Sequence, residues 1–100
     1  MDFLVHMDVL PLPPGEEGQS LLRREAERAR QLAEARILRR LWRIPGRRAN
    51  WGIWSAASVD ELHLALSSLP LFPFLSITVH PLAQHPNDPG LPLDGPEPSS

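Results

Sequence analysis

The sequence predicts an α+β fold with the element order β-α-β-β-α-β, and three observations support this prediction. A segment of alternating hydrophobicity at the N-terminus precedes a segment composed of strong helix formers. A Pro-Gly turn joins two further strand-like segments. A serine three residues before a glutamate then marks the start of a second helix. The length of 100 residues is enough for one domain with a modest core.

The first strand and the first helix follow from these patterns. One side of residues 3–10 is predicted to hold Phe3, Val5, Met7 and Val9, and the other Leu4, His6, Asp8 and Leu10. The prolines and glycines of residues 11–18 end this strand, because proline cannot donate to a β-ladder. Residues 19–35 are rich in Leu, Ala, Arg, Glu and Gln and predict a helix. Its apolar stripe is expected to contain Leu22, Ala26, Ala29 and Ala33.

The next two strands form a predicted hairpin. Residues 37–44 and 49–56 have strand character, and Pro45-Gly46 is typical of a turn between them. In the first of these strands, one side is expected to hold Leu38, Arg40, Trp42 and Ile44, and the other Arg39, Leu41 and Arg43.

The second helix and the last strand complete the order. The spacing of Ser58 and Glu61 is that of a capping box, and Pro70 ends the helix. Its inner face is expected to hold Val59, Leu62, Leu66 and Leu69. Residues 74–79 are rich in β-branched side chains and predict a strand. We therefore expect a domain over residues 1–84 and a flexible, proline-rich tail over residues 85–100.

This order of elements is that of a ferredoxin-like sandwich, in which two helices cover one face of a four-stranded sheet. The other face needs a partner, and a second copy of the chain is the obvious one. The sequence therefore predicts a dimeric α/β barrel.

The charged residues are distributed unevenly. Residues 16–48 contain all ten arginines and five of the 12 acidic residues, so this segment carries +5 and the rest of the chain −7. A basic block of this kind is compatible with nucleic acid, with a small anion or with a solvated helix face. The absence of cysteine excludes disulfides, thiolate metal sites and cysteine nucleophiles. No segment approaches the roughly 20 apolar residues of a membrane span, and we expect a cytoplasmic protein.

Glu25 is the candidate catalytic residue. Its spacing from Leu22 and Ala29 places it on the sheet-facing side of the first helix, where burial would raise the pKa of the carboxyl group, as a general base near neutral pH requires. The alternative is that Glu25 lies at the edge of the stripe and pairs with an arginine. The four histidines have no metal-site spacing. Trp42, Trp51 and Trp54 either stack on nucleic-acid bases or, as we favour, pack in a core or interface.

Several motifs resemble the muconolactone delta-isomerase family. They are Leu41-Trp42-Arg43-Ile44-Pro45-Gly46, Ala49-Asn50, Ser58-Val59-Asp60-Glu61-Leu62-His63, Leu69-Pro70-Leu71-Phe72-Pro73-Phe74 and His85-Pro86. The resemblance runs from Met1 to about Pro86. It implies dimers paired through their sheets, a ring-shaped homodecamer, and conversion of muconolactone to 3-oxoadipate enol-lactone with neither cofactor nor metal. It also implies that Glu25 is the base.

The substrate site implied by this resemblance contains several further residues. Arg43 or Arg40 is expected to hold the substrate carboxylate, since an arginine offers two parallel hydrogen bonds. Asn50 and His85 match family positions as polar lining, and Trp42 and Trp51 are predicted to contact substrate. No nucleic acid or membrane partner is expected.

The chain departs from the family pattern at the hairpin and first strand. Gly46-Arg47-Arg48-Ala49-Asn50 stands where the family has Gly-His-Tyr-Ala-Asn, and Arg40 and Leu4 replace histidines. These changes leave two alternatives open. One is a cyclase or isomerase of the same fold that acts on a larger metabolite, and the other is a non-catalytic module that binds nucleic acid through the arginine hairpin.

Overall fold

The computed structural model describes residues 1–90, which form one four-stranded antiparallel sheet with two helices. The elements in chain order are β1 (Asp2–Val9), α1 (Gly15–Glu34), β2 (Leu38–Arg43), β3 (Ala49–Ser55), α2 (Val59–Ser67), a 3₁₀ turn (Phe72–Phe74) and β4 (Leu75–Leu82). The strand order in the sheet is β2-β3-β1-β4. The predicted α+β fold and its β-α-β-β-α-β order are confirmed. The predicted tail lies largely outside the described residues.

Strand β1 occupies the centre of the sheet and alternates as predicted. It pairs antiparallel with β3 on one side and with β4 on the other, and Val5 lies opposite both Gly52 and Val79. Phe3 and Val5 are fully buried and Met7 is almost fully buried. These three side chains form the core together with residues of both helices: Leu32, Leu62, Ala65 and Leu66. Both helices therefore cover the same face of the sheet.

The predicted apolar stripe of α1 is wrong. Leu22 is half exposed, and Ala26 and Ala33 are exposed as well. The buried positions are instead Gly18, Leu21 and Leu32, with Glu25 half-buried between the two leucines. This set also has helical spacing, and it buries two leucines where the predicted stripe would bury mainly alanines. Because leucine removes more apolar surface from water, the helix turns this side to the core.

Helix α1 also begins four residues earlier than predicted, at Gly15. This first turn lies very close to the preceding loop, since a Cβ atom on Gly18 would clash with the carbonyl oxygen of Pro13. Glycine at position 18 therefore allows the chain to fold back against the helix directly after the proline-rich segment.

A β-bulge in β2 corrects the predicted sides of this strand. The register shifts between Leu38 and Arg40, so that Leu38 lies opposite Trp54 and packs against the core. Leu38 was predicted to share a side with Arg40 and Trp42, and that prediction is wrong. The extra residue, Arg39, changes the alternation at this point. From Arg40 onward the predicted sides hold, with Arg40 and Trp42 on one face and Leu41 and Arg43 on the other.

The capping box of α2 forms as predicted. The Ser58 hydroxyl accepts a hydrogen bond from the amide of Glu61, and the Glu61 carboxylate accepts one from the amide of Ala57. Val59 was expected on the inner face but is 57 % exposed. Strand β4 continues to Leu82, beyond the predicted end at residue 79, although it includes Pro81. Proline is tolerated here because β4 is an edge strand.

The sheet face opposite the helices carries mixed polar and apolar side chains, which we call the open face. It is defined by Leu4, His6, Asp8, Arg40, Trp42, Trp51, Ile53, Thr78 and His80. The rings of His6 and Trp51 meet edge to face with centroids 4.7 Å apart. Within residues 1–90, neither helix is long and apolar enough to cross a bilayer.

We expect Gly18→Ala to destabilise the protein by about 2 kcal/mol, because the added methyl group overlaps the Pro13 carbonyl. Alanine normally stabilises a helix interior relative to glycine, so the expected loss of stability is opposite to the change that helix propensity alone would give. Urea unfolding followed by circular dichroism measures the difference. Gln19→Ala, at the exposed neighbouring position, is the control and should change the free energy of unfolding by less than about 0.5 kcal/mol. A more stable Gly18→Ala protein would contradict the close contact.

Candidate functional site

A cavity of about 520 Å³ lies where the hairpin end of the sheet meets α1 and the segment before β4. Its lining residues are Val9, Leu22, Leu41, Trp42, Arg43, Arg47, Arg48, Ala49, Asn50 and Leu71. The volume suits a small organic ligand. Three of these residues, Leu22, Leu41 and Trp42, are large apolar side chains that are 40–50 % exposed. Their exposure is accounted for by their position on the cavity wall.

The strands place polar residues on the same wall. Arg43 and Asn50 lie opposite each other in the β2–β3 ladder, and Asn50 lies opposite the buried Met7 in β1. Both side chains therefore lie on the core side of the sheet, at the end that carries the β2–β3 turn. Asn50 Oδ1 is buried and has no hydrogen-bond partner among residues 1–90. Because a buried unpaired amide oxygen is costly, the Asn50 side chain is suited to a polar group of a ligand.

Glu25 approaches this cavity from α1. Its Oε1 accepts a hydrogen bond from the backbone amide of Leu71, at 3.0 Å. Glu25 does not itself line the cavity, but Leu71 does, and so does Leu22, one turn earlier in the helix. Burial raises the pKa of the Glu25 carboxyl group, and the hydrogen bond from Leu71 opposes this rise without cancelling it. The direction of this shift is the one that a general base working near neutral pH requires.

Of the two alternatives for Glu25, the structure supports the inward position. In the part of the chain that the structure describes, no arginine forms an ion pair with Glu25. The surface acids of α1 do form such pairs, as Glu27 and Glu34 both contact Arg30. Glu25 therefore differs from its neighbours in both burial and partner, while its catalytic role stays a prediction.

The predicted substrate-binding residues separate into three places. Arg43, Asn50 and Trp42 line the cavity. Arg40 lies over the Trp42 ring, 4.7 Å from its centroid, on the open face, and Trp51 is on that face as well. His85 lines a different cavity of about 730 Å³, together with residues at the start of β1. Since the first cavity is at the end of β1, the two are separated by about the 23 Å length of that strand.

Sequence reasoning did not assign seven residues of the cavity wall to a site: Val9, Leu22, Leu41, Arg47, Arg48, Ala49 and Leu71. Leu22 was assigned to the core stripe, and Leu71 was noted only as part of a motif. Arg48 was noted only as a departure from the family pattern. The signal for Arg48 was its position two residues before Asn50, which places both on the same face of an extended strand.

Comparisons with known proteins agree with the geometry. The family model described as muconolactone delta-isomerase matches residues 1–88. The muconolactone delta-isomerase of Cupriavidus pinatubonensis is 44% identical over 89 residues, which are 87% of this chain and 97% of that protein. That of Acinetobacter baylyi is 36% identical over 89 residues, covering 87% and 93%. A crystal structure of muconolactone isomerase superposes with a TM-score of 0.81 at 38% identity, covering 88% of this chain and 94% of the other.

We expect Glu25→Gln to raise the melting temperature at pH 7. The folded-state pKa of Glu25 lies above its unfolded value, so the folded protein binds more protons between these two pKa values and loses stability as the pH rises through them. Glutamine keeps an oxygen acceptor for the Leu71 amide and removes the buried charge. The difference from the wild type should close as the pH falls to about 3, well below the ordinary glutamate pKa, where the wild-type carboxyl is protonated in both states. Differential scanning calorimetry at several pH values measures it, and an equal loss of stability at all pH values would contradict the raised pKa.

Proposed function

This chain belongs to the muconolactone delta-isomerase family, and on that premise we propose that it moves the double bond of an unsaturated lactone, converting muconolactone to 3-oxoadipate enol-lactone. The observation that carries the proposal is the half-buried Glu25 carboxylate next to an arginine-lined cavity. Proton transfer within one substrate needs a base of raised pKa and a polar, enclosed site. This combination supports an intramolecular isomerase more directly than a binding module.

Glu25 serves as the base in the proposed reaction. Its carboxylate removes the γ proton of the lactone, and the electron pair of the broken C–H bond delocalises into a dienolate. A proton then returns at the α carbon, so that the double bond has moved and no atom is gained or lost. The amide of Leu71, a residue of the cavity wall, binds one carboxylate oxygen of Glu25 and leaves the other free to accept the proton. The raised pKa brings the proton affinity of the base closer to that of the reacting carbon.

The cavity supplies the electrostatic part of the proposed mechanism. Negative charge develops on the lactone oxygen in the dienolate, and donors placed there lower the barrier. The Asn50 amide is suited to this oxygen if its NH₂ group faces the cavity, since rotation of the amide exchanges donor and acceptor. Arg43 is suited to the carboxylate of the substrate because it lines the same wall, whereas Arg40 lies on the open face.

We expect Glu25→Gln to lower kcat for muconolactone isomerisation by a factor of about 10³, within the range that general-base catalysis contributes. Glutamine fills the same space but does not accept a proton. The fall in absorbance as the double bond leaves conjugation with the lactone carbonyl, or the amount of product separated by chromatography, measures the rate. Glu27→Gln is the matched control, since Glu27 pairs with Arg30 on the exposed side of the same helix, and its kcat should stay within about twofold of the wild type. Full activity of Glu25→Gln would remove Glu25 as the base.

The pH profile gives a second test of the base. The active form is the carboxylate, so kcat/KM of the wild type should fall as the pH drops through the raised pKa of Glu25. Replacing Glu25 with Asp keeps a titrating group but moves it away from the Leu71 amide. We expect this variant to retain a small activity whose acid limb lies at higher pH than that of the wild type, because the hydrogen bond that lowers the carboxyl pKa is lost. An unchanged acid limb would assign the titration to another group.

We further propose that two copies associate through their open faces. Leu4, Trp51 and Ile53 remain half-buried on a sheet face that neither helix covers. A second sheet packed about 10 Å away would remove these side chains from water. The same surface patch then meets itself across a two-fold axis, which closes the assembly as a dimer. The larger ring and the cytoplasmic location that the resemblance suggests stay predictions.

We expect Ile53→Glu to convert the dimer to a monomer, because it places a charge at the centre of the open face. Sedimentation velocity measures the change as a halving of the particle mass. Leu64→Glu is the control, since Leu64 is 68 % exposed on α2 and lies away from the open face. Dissociation by both variants, or by neither, would contradict association through this face.

A further inference from the structure

Arg47 and Arg48 are consecutive residues at the end of the hairpin, and the sheet directs them to opposite sides. The amide of Val9 donates to the carbonyl oxygen of Arg48 at 2.8 Å, which continues the β1–β3 pairing one step beyond Asp8 and Ala49. Because side chains alternate along a strand, Arg48 stands on the same side as Asn50. That is the core side, where the cavity lies.

Arg47 has a partner on the other side of the sheet. Its Nη2 lies 3.2 Å from Oδ1 of Asp8, an open-face residue of β1. The second carboxylate oxygen of Asp8 is 3.5 Å from Nδ1 of His6, on the same face. Arg47 reaches the rim of the cavity, but its guanidinium charge is matched by Asp8.

In the part of the chain that the structure describes, Arg43 and Arg48 have no such partner. Within residues 1–90, neither forms an ion pair with an acidic side chain, although both line the cavity. The chain has 12 acidic residues for ten arginines, so this absence is not a matter of composition. The hairpin wall thus presents two guanidinium groups to one small cavity, and the helix wall on the other side brings the Glu25 carboxylate near.

We propose that Arg48 is a specificity-determining residue that, together with Arg43, binds the carboxylate group of a small lactone acid in this cavity, and that Arg47 has no part in this contact. The proposal rests on the proposed function for the lactone part of the ligand. Two guanidinium groups can share one carboxylate through charge-assisted hydrogen bonds. Holding this carboxylate at the hairpin wall also keeps it away from Glu25, since two carboxylates in one site repel each other.

Binding of an unreactive ligand tests the contact without any catalytic step. The probe is the saturated analogue of muconolactone, (5-oxotetrahydrofuran-2-yl)acetate, and its methyl ester serves as the uncharged comparison. Isothermal titration calorimetry should show tighter binding of the acid than of the ester to the wild type. We expect Arg48→Gln to weaken acid binding about tenfold and to leave ester binding unchanged, whereas Arg48→Lys should recover part of the loss.

Arg47→Gln is the matched comparison, because it removes the same charge from the adjacent position. It should weaken acid binding less than twofold. Equal losses in Arg47→Gln and Arg48→Gln would overturn the proposal in favour of a general positive field at the hairpin. Wild-type affinity in Arg48→Gln, or equal wild-type affinity for acid and ester, would also overturn it. Circular dichroism of each variant excludes loss of folding as the cause.

Turnover of muconolactone separates this proposal from the function on which it rests. We expect Arg48→Gln to raise KM about tenfold with kcat within about threefold of the wild type, since the contact is made equally before and during proton transfer. A wild type that binds the saturated acid through Arg48 but does not isomerise muconolactone would overturn the proposed reaction and leave the carboxylate contact established. If the wild type isomerises muconolactone but the Arg48→Gln variant keeps wild-type KM and affinity, the proposed reaction stands and the carboxylate contact of Arg48 is overturned.

Discussion

The hydrogen bond between the Glu25 carboxylate and the amide of Leu71 connects two parts of the chain that are 46 residues apart. It joins the inner side of α1 to the segment that leads into β4, and both of its partners are neighbours of the cavity. Without it, a half-buried carboxylate on the inner side of α1 would lose its one backbone donor, and burial of a polar group without a partner is unfavourable. The contact thus links α1 to the segment before β4 beside the cavity, and it lowers the pKa of Glu25 against the larger rise that burial causes.

The contact is a compromise between stability and chemistry. Burial raises the pKa of Glu25, which makes the carboxylate a better base but a less stable occupant of the helix face. An arginine partner would have stabilised the charge and lowered the pKa. A single backbone amide satisfies one oxygen and leaves the other available for a proton. Natural active sites often combine a strained or desolvated group with a rigid support in this way.

The alternation of the sheet separates two kinds of surface. On the core side, the end of the hairpin carries Arg43, Arg48 and Asn50 into the cavity. On the open face, the same strands carry Arg40, Trp51 and the pair of Arg47 with Asp8. Residues that are adjacent in sequence therefore lie on different surfaces, and a basic segment that resembles one continuous patch in sequence is divided by the sheet. This division argues against a single arginine surface for nucleic acid.

The sequence by itself determined the order of the elements, the alternation of β1, the Pro-Gly hairpin, the Ser58 cap and the family, because these depend on local periodicity, turn chemistry and motif spacing. It also placed Glu25 on an inward side of α1, although by way of a stripe that proved wrong. Only the tertiary structure decided which of two helical stripes is buried, since Leu21 and Leu32 compete with the alanines for the same core. The bulge at Arg39 and the separation of His85 from the cavity likewise depend on contacts between distant segments. The proposed role of Arg48 also rests on the tertiary structure, because the fold pairs Arg47 with Asp8 and leaves Arg48 without an ion pair among residues 1–90.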